Sequence, residues 1–71
     1  MASMHIKRIS EHIYAVRQYD EVLSVDLGEM SKKRLHGHLM GRRLLDRTPG
    51  DVLDSLLEVG DETTVQFRSL L

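Results

Sequence analysis

The sequence predicts a mainly α-helical fold, in which three helices form one small domain that pairs into a dimer. Between residues 6 and 30, apolar side chains recur at a 3-4 spacing that only Asp20 interrupts. This spacing places them along one side of a helix, as a narrow seam that needs a partner surface. A helix-capping motif at residues 48–51 precedes a second apolar face. Gly28 offers a stop between the first two helices.

The length of the chain favours self-association. Seventy-one residues make one domain, 1–71, and such a chain buries only about 60% of its unfolded surface. Small domains are usually stabilised by disulfides, a metal ion or oligomerisation. The chain has no cysteine, which excludes disulfides and thiolate metal sites. We therefore expect a homodimer with no cofactor. Residues 1–3 are expected to be an appended leader, with Met4 as the natural start.

The sequence predicts a cytoplasmic protein with no membrane partner. No apolar run approaches the roughly 18 residues that span a bilayer, and the chain shows no signal-peptide core. The lack of cysteine also fits a reducing compartment.

The first helix is expected to begin between Ser3 and Ser10 and to end near Asp26. Its β-branched and aromatic residues favour strands, and residues 23–27 alternate as a half-buried strand does. The alternative is an α+β fold with an N-terminal hairpin that turns near residues 19–21. We prefer the helix because the 3-4 spacing covers 25 residues, whereas the alternation covers only five.

Two further helices follow. Ser31 caps the second, which is expected to run to about Leu45. The third is predicted over residues 49–59, because Thr48 completes a capping box and a proline occupies the first helical position. Residues 61–71 are predicted as a short strand or a helical turn, since threonines that favour a strand compete there with an apolar triplet.

The uneven charge distribution suggests a binding surface. Residues 32–47 hold six basic side chains against one acidic side chain, whereas both flanking segments are net acidic. Cations at this density can neutralise phosphates and release counterions. The candidate nucleic-acid-binding residues are Lys32, Lys33, Arg34, Arg42, Arg43 and Arg47. The competing interpretations are a solvated surface and pairing with the acidic flanks of a second subunit.

The candidate dimer interface lies on the predicted seam. It consists of Ile9, Ile13, Val16, Leu23 and Leu27. Asp20 on this seam is interpreted as an exposed notch or as a polar contact that sets the register between subunits.

Catalysis and metal binding have little support in the sequence. There is no cysteine nucleophile, no glycine-rich phosphate loop and no serine elbow. On a helix, His36 and His38 would point about 200° apart. His5 and His12 are too far apart along a helix to share one ion. We therefore expect neither an enzyme nor a metal site.

Three motifs are spaced along residues 10–69: His12-Ile13-Tyr14, the Thr48-Pro49 cap before a leucine-rich helix, and Gln66-Phe67-Arg68. This layout resembles that of FlhD, a flagellar transcriptional regulator subunit. The family's asparagine and Leu-Ser-Tyr-Leu pattern is absent, and Gln18-Tyr19-Asp20-Glu21 stands in its place. No functional residue is carried over. The resemblance implies a helical dimer that works with a partner in transcription control.

The sequence thus predicts a small regulatory protein that acts in transcription control. Its basic segment would bind nucleic acid or an acidic protein partner. The alternative is a protein–protein adaptor or inhibitor without affinity for nucleic acid. Salt dependence separates the two functions, because phosphate contacts weaken steeply as salt rises.

Overall fold

Five strands form one antiparallel sheet in the computed structural model, which describes residues 2–68. Two short helices cover one face of the sheet. The predicted mainly α fold, with three helices, is therefore wrong, and the chain has an α+β architecture dominated by its sheet. The elements in chain order are β1 (Ala2–Arg8), β2 (Tyr14–Tyr19), β3 (Ser24–Met30), α1 (Lys32–Met40), β4 (Arg43–Leu44), α2 (Pro49–Asp54) and β5 (Glu62–Arg68). Across the sheet the order is β3-β2-β1-β5-β4.

The segment predicted as the first helix folds as three strands joined by two hairpins. Burial alternates with a period of two, since Met4 and Ile6 are buried on β1 and Val16 is buried on β2. Side chains two apart share one face of a strand, so this burial follows the strand period. The 3-4 spacing misled the prediction because its members lie on different elements. Ile9 and Leu23, for example, lie in the two hairpin connections.

The rejected alternative, an α+β fold with an N-terminal hairpin that turns near residues 19–21, is correct for the second of these two hairpins and does not include the first. β2 and β3 are joined by a turn over residues 20–23, which the amide of Asp20 closes by donating to the carbonyl of Leu23 at 2.8 Å. Asp20 therefore lies in a turn and on no helix seam. Ala2, which was expected to belong to a leader, is buried within β1.

A bulge interrupts β3 beside its partner strand. Val16 lies opposite Gly28 and Arg17 lies opposite Asp26, so that Leu27 is the extra residue. Gly28 has a φ of 84°, a conformation that side chains with a Cβ disfavour. The carboxylate of Asp26 accepts a hydrogen bond from the Gly28 amide at 2.8 Å, which fixes the bulge locally.

Both predicted helix starts are confirmed. Ser31 caps α1, and Thr48 caps α2 through the complete capping box with Asp51. Both helices end earlier than predicted, at Met40 and Asp54. α1 was predicted to reach about Leu45 but ends before β4, because Leu44 pairs with Phe67 in the sheet. Tertiary pairing here overrides local helix propensity.

The core lies between the helices and one face of the sheet. β5 resolves the ambiguity over residues 62–68 in favour of a strand, while residues 69–71 lie outside the described residues. Among residues 2–68, no helix covers the other face of the sheet. The buried residues are Ala2, Met4, Ile6, Tyr14, Val16, Met30, Leu35, Leu39, Val52, Leu56, Val65 and Phe67. No helix in the described range is long and apolar enough to cross a membrane.

Arg8 joins the loops at one end of the sheet, which we call the clamped end (residues 8–13 and 55–61). Its guanidinium donates to the carbonyls of Leu56 at 3.0 Å, of Leu57 at 2.6 Å and of Glu11 at 2.6 Å. The same group lies over the Tyr14 ring, 5.5 Å from its centroid. The β1–β2 loop is thereby attached to the loop that follows α2.

Candidate functional site

The six basic residues predicted to bind nucleic acid occupy different parts of the fold. Lys32, Lys33 and Arg34 lie in the first turn of α1 and are exposed. Arg43 lies on β4, directly opposite Arg68 on β5. Because its neighbour Leu44 packs against the core, alternation places Arg43 on the face of the sheet opposite to α1. The exposed members of the set therefore lie on two opposite faces.

Arg42 is directed toward the protein itself. Its guanidinium donates to the His38 carbonyl and to the Gln18 side-chain oxygen, both at 2.8 Å, and lies 5.4 Å from the Phe67 ring centroid. Partial burial lowers the pKa of Arg42, because water no longer fully solvates its charge. This side chain fastens the end of α1 to β2 and β5.

His38 is partly buried beside the same guanidinium. Its Nδ1 lies 3.3 Å from Nη1 of Arg42, and a guanidinium can only donate, so Nδ1 accepts. Burial is the largest cause of the lowered His38 pKa, followed by the charges of Arg42 and Arg34. The histidine therefore contributes to packing at the end of α1.

Arg47 also makes internal contacts. It donates to the hydroxyls of Thr63 and Ser55, both at 2.8 Å, and thereby ties β5 to the end of α2. The structure thus brings Lys32, Lys33 and Arg34 together, places Arg43 apart from them, and engages Arg42 and Arg47 in internal contacts. Nothing in residues 2–68 supports DNA binding by one continuous surface of all six, and the expected helical form of the protein is wrong. Transcription control stays a prediction.

The predicted dimer-interface residues do not share one surface. Val16 is buried under the helices, and Leu27 packs against the same core. Ile9 and Ile13 close the β1–β2 loop at the clamped end, where the Ile9 amide donates to the Ile13 carbonyl at 3.0 Å. Leu23 lies at the opposite end of the sheet, in the β2–β3 turn.

That turn and its flanks, residues 19–25, form an exposed apolar site that we call the hairpin tip. Val22 is 88% exposed and Leu23 is 64% exposed, although both are large and apolar. Tyr19 and Val25 on the adjoining strands are exposed as well. Turns normally place glycine, asparagine, aspartate or serine in such positions. The structure of the turn therefore gives no reason for valine and leucine here.

Acidic residues lie beside this apolar site. Asp20 is exposed in the turn itself, and Asp26 follows on β3. Asp26 also lies 3.5 Å from Arg17 on β2, which links the two strands behind the tip. The tip thus presents apolar side chains with an acidic border on a paired hairpin.

Sequence reasoning missed this site because residue 23 was placed on a helix seam. The available signal was the pair of consecutive apolar residues immediately after Asp20 and Glu21, where the alternative hairpin turned. In a turn at the end of a sheet, apolar side chains are not buried in the core and remain exposed to solvent. The hairpin alternative, with its turn near residues 19–21, predicts that these two apolar residues are exposed at the end of the hairpin.

A shallow groove of about 230 Å³ crosses the open face of the sheet. On its border, the Nδ1 of His5 lies 3.1 Å from the Thr64 hydroxyl, and its Nε2 lies 3.4 Å from the Glu62 carboxylate. The groove is lined by His5, Lys7, Ala15, Val16, Arg17, Tyr19 and Asp26. Within the described residues, no three histidine, aspartate or glutamate side chains are grouped so that they could hold a metal ion.

Comparison of the chain with protein-family models, curated proteins and solved structures gives no match. The resemblance to FlhD therefore stays a prediction. The long opening helix that it implies is the β1–β2–β3 meander.

Proposed function

We propose that this chain is a protein–protein adaptor or inhibitor, without enzymatic activity, that binds its partner through the hairpin tip. The observation that carries the proposal is the exposure of two consecutive apolar residues, Val22 and Leu23, in a turn. Contiguous exposed apolar patches that are rimmed by polar residues mark interaction sites on proteins, and Val22 and Leu23 are adjacent in the turn. The location that we propose for this activity is the cytoplasm.

The composition of the tip supports a protein partner. Tyrosine is enriched among residues that dominate binding energy, and Tyr19 adjoins the turn. Asp20 borders the apolar side chains, so a partner with an apolar pocket and a basic group at its rim fits this surface best. The β2–β3 pairing holds these side chains in place before binding, which lowers the entropic cost of association.

The distribution of basic residues favours this alternative over phosphate binding. Arg42 and Arg47 are committed to internal acceptors. A phosphate-binding surface that contains Lys32 and Lys33 cannot also contain Arg43, because the two lysines and Arg43 lie on opposite faces of the sheet. The number of phosphates that one face can contact is therefore smaller than the sequence predicts.

Site-specific photo-crosslinking tests the proposal. A photoreactive amino acid replaces Val22 in the full chain, and the control replaces the exposed Gln66 on the open face of the sheet. Irradiation in cells is expected to give a discrete protein adduct from position 22 and none from position 66. Adding Leu23→Ser to the position-22 probe should abolish the adduct while leaving the thermal midpoint unchanged.

Two results would contradict the proposal. Equal adducts from positions 22 and 66 would mean that the tip has no binding specificity. No adduct from position 22, together with duplex binding that falls steeply with salt, would favour a nucleic-acid-binding protein instead. A gel-shift assay of the unmodified chain at low and high salt provides that second measurement.

A further inference from the structure

The exposed side of α1 carries only cationic and neutral groups. Lys32, Lys33 and Arg34 are all exposed in its first turn, and no acidic residue occurs anywhere from 30 to 45. A helix N-terminus repels cations, because its unpaired amides give it a partial positive charge. None of these three side chains has an ion-pair partner within the described residues. The local structure thus gives no compensation for this cluster of positive charge.

The neighbouring surface at the end of α2 has the opposite sign. Asp54 and Glu58 are exposed there, and their carboxylates have no ion-pair partner among residues 2–68. Asp51 is also exposed, although its carboxylate accepts a hydrogen bond from the Thr48 amide at 3.2 Å. No basic residue lies in the last turn of α2. This surface therefore presents uncompensated negative charge.

Both charged surfaces lie on the helical face and at the same end of the molecule. α1 begins beside the clamped end, because Met30 just before it lies opposite Tyr14. α2 ends there too, because Arg8 binds the carbonyls of Leu56 and Leu57. The cationic first turn and the acidic end of α2 therefore lie at the same end of the helical face, and no ion pair joins them within the described chain.

We propose that a second copy of this chain docks on the helical face, with α1 of each copy lying over α2 of the other. A two-fold axis parallel to the helices produces this arrangement and keeps the two clamped ends together. The cationic turn then faces Asp54 and Glu58 of the second copy, and symmetry forms each contact twice. This interface is distinct from the hairpin tip and does not depend on the proposed function.

Apolar groups on the same face support a second copy. Met40 is 64% exposed and lies seven residues after Lys33, on the same side of α1. Leu57, just after α2, is 70% exposed. The two longest dimensions of the molecule are 34 and 22 Å, so a second copy would have to cover most of a broad face to bury the roughly 800 Å² per partner of a stable complex.

A charge-swap experiment tests the proposal. One variant carries Lys32→Glu and Lys33→Glu, and the other carries Asp54→Lys and Glu58→Lys. Each variant alone is expected to dimerise at least about tenfold more weakly than the original chain, because like charges then face each other. A 1:1 mixture should recover the dimer as a heterodimer, since every facing pair is again of opposite charge.

Sedimentation velocity measures the outcome against a monomer mass of 8.2 kDa. The matched control, Arg43→Glu with Arg68→Glu, changes two charges on the open face and should leave the dimer unchanged. Circular dichroism establishes that each variant folds, so that loss of the dimer is distinguished from unfolding. Dimerisation of the original chain should also weaken as salt rises from 50 to 500 mM, in line with screening at about 10 Å in 0.1 M salt.

Two results would overturn the inference. The first is an original chain that stays monomeric at about 100 µM and low salt, far above the micromolar range in which specific complexes form. The second is a dimer that both folded variants retain without change, which would place the interface on another surface.

Discussion

The two ends of the sheet are constructed differently. At the clamped end, one guanidinium gathers three backbone carbonyls, and the nearby Leu56 is fully buried. At the hairpin tip, one backbone hydrogen bond closes the turn, and Val22 and Leu23 extend into solvent. Both ends contain a short connection between antiparallel strands, but only the clamped end also receives the loop from α2 to β5, which supplies two of the three carbonyls.

The two ends therefore differ in how much they contribute to the free energy of unfolding. Hydrogen bonds from a charged donor contribute about 1.5–3 kcal/mol each at best. Of the three bonds of Arg8, the one to Leu56 is partly buried, and those to Leu57 and Glu11 are exposed and contribute less. An apolar side chain that remains in water contributes almost nothing to folding. Mutations at the clamped end should therefore lower the free energy of unfolding, whereas mutations at the tip should affect binding alone.

The largest effect is expected from leucine truncation at the two ends. Leu56→Ala should lower the free energy of unfolding by about 2–5 kcal/mol, because it leaves a cavity in the core. Leu23→Ala should change it by less than about 0.5 kcal/mol, since the side chain is 64% exposed. Urea denaturation measures both values. Similar losses for the two variants would remove the distinction between the ends.

The second prediction concerns the clamp itself. Arg8→Ala should cost about 2–4 kcal/mol, because three carbonyls lose a charged donor and Tyr14 loses its stacked cation. The control is Arg17→Ala, which removes an exposed pair with Asp26 and should cost about 0–1 kcal/mol. Thermal denaturation compares them. A loss for Arg8→Ala no larger than that of its control would show that the clamp does not stabilise the loops.

The third prediction tests the bulge behind the tip. Gly28→Ala should destabilise the chain by about 1–2 kcal/mol, because its φ of 84° is unfavourable for any residue with a Cβ. Gly37→Ala, on exposed α1 with nothing near its added Cβ, should stabilise by about 0.5–1 kcal/mol. Denaturant titration of both variants gives the signs. Stabilisation by both changes would mean that the bulge is not maintained in solution.

The smallest effect is a pH dependence at the tip end of α1. The lowered pKa of His38 means that the unfolded chain binds its proton more readily than the folded one. His38 therefore contributes stability that is present above the unfolded value near 6.5 and is lost as pH falls through the folded value. The fall in thermal midpoint between pH 7 and 5 should be smaller in His38→Gln. An identical fall in both proteins would contradict the role of His38.

The sequence predicted the local features of this fold and missed the distant pairings. Ser31 and Thr48 are recognisable as caps from the sequence, because the backbone amide from which each side chain accepts a hydrogen bond lies only three residues away. β4 was missed because two residues are too few to show the alternation of apolar and polar side chains that predicts a strand. They form a strand only through their pairing with β5 at Phe67 and Arg68. In the first third of the chain, β-branched residues and burial every second residue outweighed an apolar spacing that spanned separate strands and turns.

The candidate sites were predictable to different degrees. Lys32, Lys33 and Arg34 were recognisable as an exposed cationic group because they are consecutive on a capped helix. The internal contacts of Arg47 depend on Thr63 and Ser55, which the sequence does not bring near it. The hairpin tip followed only from the alternative that was not preferred.

The bulge in β3 has a consequence for how the chain behaves at high concentration. β3 is an outer strand, and an outer strand with unpaired amides and carbonyls can template the addition of further strands. The extra residue at Leu27 and the left-handed Gly28 break the regular repeat of those groups halfway along. A second chain cannot form a continuous ladder there. Beside the exposed apolar tip, this irregularity therefore opposes the addition of a further strand to β3.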